Sequence, residues 1–215
     1  MKRYIRSTSI DEIDPFNSDA TDRAHLAEFT DDVELLEIYA KDPVADVRLH
    51  VVFNDHVTPG ILEELAKDPV DEIRKHVAYN TKTPAVTVLG LAQDDSENVR
   101  FASAFNPNMP EEGFKLLLQD ETPVRGAVTQ NRNLPYSMQM YIAKSSDPYI
   151  RQQLARRKSN IPPEVLTLLA DDPEEDVRYE VAINSSTPEA VLKKLTDDPS
   201  ERVRRNAVHT YIWAL

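Results

Sequence analysis

Seven arginines, Arg48, Arg74, Arg100, Arg125, Arg151, Arg178 and Arg204, follow one another at intervals of 26, 26, 25, 26, 27 and 26 residues. A second mark, a proline, recurs between them at Pro59, Pro84, Pro110, Pro135, Pro162 and Pro188. A frame of Asp-Pro, Val-Arg, Val-Ala and Asn recurs around these arginines, seen most fully from Asp171 to Asn184. Self-similarity at one fixed period is the signature of a stacked repeat protein, in which each unit buries its apolar face on its neighbours. The frame therefore predicts the architecture before any other property of the chain.

Within a repeat the pattern is helical. The first helix, as in Thr58–Lys67, opens with Thr as N-cap and Pro at the first helical position, where its missing N–H is no loss. The Asp-Pro that follows ends it, since a residue before proline is pushed out of the α region. In the second helix the positions −1, +3 and +4 from the arginine are apolar in nearly every copy, as in Val47, Val51 and Val52, or Val177, Val181 and Ala182. At about 100° per residue these lie on one arc that includes the arginine. A strand would need period two. The expectation is an all-α solenoid of about seven two-helix repeats of 25–27 residues over 30–215, closed by a capping helix that carries Trp213. Residues 1–29 stand outside the period and are expected to form an arm or partial cap.

Copies such as Thr187–Arg204 resemble the leucine-rich repeat variant family and, more distantly, HEAT repeats, which share an Asp…Val-Arg signature. The resemblance covers about 30–215. It implies alternating α and short or 3₁₀ helices in a right-handed superhelix that serves as a binding scaffold. Some family members carry a cysteine-bound iron–sulfur cluster ahead of the repeats. This chain has no cysteine, so that feature does not carry over.

The lack of cysteine also removes disulfides, thiolate metal sites and a cysteine nucleophile. The four glycines leave little material for a phosphate-cradling loop, and no nucleophile–base or metal-ligand motif is present. His50 and His76 share position +2 one repeat apart, but Ala102 follows them, leaving no third ligand. No enzyme activity, cofactor or metal is expected. There is no apolar run of about 18 residues to span a membrane and none behind Lys2 and Arg3 to act as a signal. A soluble cytoplasmic protein is the expectation.

The net charge of −12 argues against a general nucleic-acid binder. Its distribution is uneven: Thr122–Asn160 holds seven basic residues against one acid, a balance of +6 that leaves −18 for the remainder. The arginine ladder itself is expected to be structural, each guanidinium paired with the Asp five or six residues before it, so that a repeat's two helices are pinned together. The Asn at +6 (Asn54, Asn80, Asn106, Asn131, Asn184) is expected to end the helix in a left-handed conformation.

Two surfaces remain for function. One is an aromatic strip of Phe53, Tyr79, Phe101 and Phe105 at the outward +1 and +5 positions. The other is a basic patch of Arg132, Lys144, Arg156, Arg157 and Lys158, where repeat five departs from the frame. The leading expectation is a scaffold that binds a protein or peptide. The alternatives are a nucleic-acid-associated protein using the basic patch, or an acidic nucleic-acid mimic that blocks a basic partner.

Overall fold

The computed structural model describes residues 19–213, with Trp213 described through its backbone alone. Over these residues the chain is an all-α solenoid of fifteen helices without a strand, in two compact units that divide between Asn108 and Met109. The first unit contains α1 (Ala20–Phe29), α2 (Val33–Tyr39), α3 (Ala45–Phe53), α4 (Pro59–Leu65), α5 (Asp71–Tyr79), α6 (Ala85–Leu91) and α7 (Glu97–Phe105). The second contains α8 (Glu111–Leu117), α9 (Thr122–Gln130), α10 (Tyr136–Ala143), α11 (Pro148–Ala155), α12 (Pro163–Leu169), α13 (Glu175–Ile183), α14 (Glu189–Leu195) and α15 (Glu201–Trp213). Even-numbered helices are the first helices of the repeats, and these short pieces are α-helical. Odd-numbered helices are the second ones. Within each unit the odd helices pack side by side, with the even helices against them.

The core follows the predicted arc. Val47, Val51 and Val52 of α3, Ile73, Val77 and Ala78 of α5, and Val177, Val181 and Ala182 of α13 are all buried. Opposite them the first helices contribute pairs such as Leu62 and Leu65, or Leu166 and Leu169. Helices of seven or eight residues are too short to persist alone in water. They hold because each is sandwiched between neighbours.

Helix α1 falls within the stretch expected to form an arm or partial cap. Helix α1 is placed as a second helix, packed on α3 as α5 packs on α7. Arg23 lies 25 residues before Arg48, and its Nε and Nη2 meet Asp42 at 2.7 and 3.1 Å. Leu26 and Ala27, at +3 and +4, are buried. The repeat register thus extends back to Ala20. Residues 1–18 of the expected arm, and the packing of the Trp213 side chain, lie outside the described residues.

The ladder also has a different partner from the one expected. Arg48 Nε and Nη2 grip Asp68 at 2.6 and 3.0 Å, and Arg74 grips Asp94 at 2.7 and 2.8 Å. In the second unit Arg151 grips Asp172 and Arg178 grips Asp198 in the same bidentate way. Each acid lies in the next repeat, about twenty residues ahead. The Asp six residues before the arginine offers only its main-chain carbonyl, as Asp42 O does to Arg48 at 2.7 Å and Asp172 O to Arg178 at 2.8 Å. The guanidinium therefore ties one repeat to its successor. The acid's other duty is local: Oδ1 of Asp68 accepts from Val70 N, and Oδ1 of Asp198 from Ser200 N, bracing the turn into the following helix.

These bonds set an acid limit on stability. Burial pushes the carboxyls of Asp42, Asp94 and Asp198 upward, but hydrogen bonds from the arginine and from the main chain outweigh it, so all three lie below the ordinary value. A carboxyl lowered by folding contributes stability above its unfolded pKa of about 4, and that contribution disappears as pH falls through the folded value. The melting temperature should accordingly be insensitive to these groups above about pH 5 and fall below about pH 4. Calorimetry between neutral and strongly acid pH checks this. A midpoint that stays constant into the acid range would show that the carboxylates gain nothing on folding.

The asparagines form a second ladder. Asn54 Nδ2 donates to Ala27 O at 2.8 Å and Thr30 O at 2.9 Å, and Asn184 Nδ2 donates to Ala155 O and Arg157 O, each at 2.7 Å. Their Oδ1 atoms accept from His56 N and Ser186 N. The expected left-handed conformation is absent: Asn54 has φ −67° and ψ 135°, an extended geometry. Its role is to close the open carbonyls at the C-terminal end of the preceding second helix. The threonines differ from expectation as well. Thr58 caps α4 through Ile61 N, but the Thr83 and Thr187 hydroxyls donate to Val77 O and Val181 O, behind them in the chain.

Candidate interaction surface

Because −1, +3 and +4 face the core, positions +1, +2 and +5 of the second helices are what the odd-numbered layer presents outward. In the first unit this face is aromatic. Phe53 is 51% exposed, Tyr79 42% and Phe105 36%, and Phe101 is half-buried. The rings touch: Phe101 and Phe105 lie 5.2 Å apart, and Tyr79 and Phe105 6.5 Å apart, centroid to centroid. Phe53 meets the edge of the His76 ring at 4.8 Å. Phe29, exposed and with its ring tilted against that of His25 at 4.9 Å, stands at the C-terminal end of α1, as Phe53, Tyr79 and Phe105 stand at the ends of their helices. The sequence reading missed Phe29 because it left α1 outside the repeat.

The strip is edged by acids. His50 lies between Glu28 and Asp46, with N–O separations of 3.8 Å to each, and donates through Nδ1 to Asp46 O at 2.7 Å. Glu72 takes Lys75 at 2.6 Å and His76 at 3.1 Å. Hydrogen bonding from Lys75, with a lesser contribution from His76, holds the Glu72 carboxyl below its usual range against the opposing effect of burial. The two histidines thus have separate carboxylate neighbours, and each imidazole is engaged on its own helix.

The basic stretch of the second unit is not one patch. Arg157 is buried, 5% exposed, and its Nη1 donates to Thr129 O and Asn131 O. These are the carbonyls that an Asn at +6 would take, so Arg157 is a ladder residue and cannot meet a partner. No carboxylate pairs with it among the described residues, and burial lowers its pKa. Arg156 is exposed and lies 3.7 Å from Glu180, and it shares a shallow groove of about 400 Å³ with Lys158. Lys144 lines a different groove with Arg125. Arg132 is exposed, and its carbonyl accepts from Asn160. The five cations expected to converge are therefore dispersed, and one is removed.

Among the described residues no helix is long and apolar enough to cross a membrane. No protein-family model matches the chain, and no curated protein matches it. Solved structures do. A leucine-rich repeat variant described as having a novel repetitive structural motif is 28% identical, covers 88% of this chain and 72% of its own, and superposes with a TM-score of 0.57. An engineered protein is 16% identical, with 93% of this chain and 66% of its own covered and a TM-score of 0.34. A designed armadillo repeat protein is 17% identical over 93% of this chain and 96% of its own, at a TM-score of 0.24.

Proposed function

We propose that this chain, a helical repeat protein built like the leucine-rich repeat variant, is a non-enzymatic scaffold that binds a protein or peptide on the outward face of its second helices. The observation that supports the reading is the exposed strip of Phe53, Tyr79 and Phe105, with Phe29 beside it, repeated in register along the first unit. Large aromatic rings presented together cost free energy in water, and such clusters mark protein-binding hot spots. Glu28, Asp46 and Glu72 at its edge favour a segment that carries apolar side chains flanked by Lys or Arg.

The nucleic-acid reading depended on a contiguous cationic surface, and the dispersal of that surface leaves the aromatic strip as the better-supported site. A triple substitution Phe53→Ser, Tyr79→Ser and Phe105→Ser should leave the helical circular dichroism in place, since all three rings point outward. Partner recovery in a quantitative affinity capture should fall more than about tenfold, because hot-spot residues contribute about 2 kcal/mol or more each. Recovery unchanged by the triple substitution, but lost on Arg156→Glu with Lys158→Glu, would move the site to the second unit.

A further inference from the structure

Arg23, Arg48, Arg74, Arg151 and Arg178 each close the ladder with two hydrogen bonds to an aspartate. Arg125 does not. Twenty residues after it, where Arg48, Arg74 and Arg178 find their acid, stands Ser145. Asp147, two residues further on, approaches Arg125 Nε to 3.2 Å, but Nε is enclosed and makes no hydrogen bond. The loop before Arg125 is also one residue shorter than in its neighbours, as the interval of 25 records. The main-chain carbonyl that serves Arg48 or Arg178 is replaced by the Thr122 hydroxyl, 3.2 Å from Nη2. The side chain of Arg125 is 31% exposed, against 9–18% for the five closed rungs.

This loosened guanidinium borders a groove of about 510 Å³ together with Lys144, Ser145, Ser146, Gln119 and Asp147. Lys144 is exposed and forms no ion pair among the described residues. Ser145 Oγ accepts from Asp147 N at 3.1 Å, which leaves its hydroxyl proton to donate. Asp147 is committed on its other oxygen: Oδ1 accepts from Tyr149 N at 2.9 Å and caps α11. Two cations and two serine hydroxyls therefore line one groove at the rung whose acid is displaced, with Asp147 as the groove's one carboxylate.

We propose that this groove binds a phosphate group, either the free ion or a monoester on a partner's side chain, which supplies Arg125 with the anion that Ser145 cannot. The terminal guanidinium nitrogens Nη1 and Nη2 take two phosphate oxygens, and Lys144 with the serine hydroxyls takes the others. A carboxylate has only two oxygens and leaves part of that donor set unused. The site stands independently of the aromatic strip, which belongs to the first unit.

The test is titration of the full chain with inorganic phosphate and with a phosphoserine peptide, following the backbone amide resonances of residues 144–147, with acetate at matched ionic strength as control. Saturable shifts with either phosphate form and a much smaller response to acetate are expected. Tighter binding of the peptide identifies the ester as the ligand, and equal or weaker binding identifies the free ion. Lys144→Gln should weaken phosphate about tenfold, the loss of one charge-assisted hydrogen bond. Ser145→Asp should restore the ladder acid, abolish phosphate binding and raise the melting temperature. No saturable shift in the native chain, an equal response to acetate, or undiminished binding by Ser145→Asp or by Lys144→Gln would each overturn the assignment.

Discussion

Asp172→Ala is expected to lower stability by about 3–5 kcal/mol, the cost of breaking a buried ion pair by removing one partner. Asp172 receives Arg151 Nε at 2.6 Å and Nη2 at 2.9 Å, and its side chain is 4% exposed. Its Oδ1 also accepts from Glu174 N at 3.0 Å. Alanine would leave Arg151, itself buried, with only the Ser145 carbonyl, and would free the turn into α13. The neighbouring Asp171 is the control: it is exposed and pairs with Lys194 at the surface, so Asp171→Ala should cost no more than about 1 kcal/mol. Urea unfolding followed by circular dichroism measures both. Two variants of equal stability would show that the acid's burial is without consequence.

The second large effect is at Arg157. Arg157→Glu should destabilise by about 3 kcal/mol or more, because a buried carboxylate would face the Thr129 and Asn131 carbonyls with no donor between them. Arg157→Asn should be tolerated or stabilising, since an amide at this position serves the equivalent carbonyls in the repeat that carries Asn184. Lys158→Glu, one residue on and exposed, should stay within about 0.5 kcal/mol of the native chain. Hydrogen exchange at residues 129–134 separates the cases: only Arg157→Glu should release those amides. If Arg157→Glu and Lys158→Glu behave alike, the arginine is held at the surface in solution.

What was legible in the sequence was the register, and what was not was the partner of each register position. An aspartate lies six residues before Arg74 and another twenty after it, and a period of 26 makes the two equivalent on paper. Only the reach of the side chain across the stack decides that Asp94 takes the fork while Asp68 offers its carbonyl. The run Arg156-Arg157-Lys158 reads as surface by composition, yet Arg157 stands at +6, a position buried in the copies that hold Asn54, Asn106 and Asn184. Position, given its full weight, would have found it. Arg23 had a signal too, at 25 residues before Arg48 with Leu26 and Ala27 in the apolar places. It was obscured because its −1 position is Asp22 where the frame has Val. The aromatic strip could be placed on the outward face from spacing alone, but the contact of Phe53 with His76 depends on ring orientation that no pattern encodes.

The forward reach of the ladder gives the chain a direction in time. During synthesis each arginine emerges before the acid that will hold it: Arg48 must wait for Asp68 and Arg178 for Asp198. At about 5–20 residues per second that delay is on the order of one to four seconds. A nascent chain should therefore lock in steps, each repeat becoming protease-resistant only after the first helix of its successor, and the turn that follows it, have cleared the ribosome. Stalled chains lengthened by a few residues at a time would show those steps recurring at the 26-residue interval of the arginines.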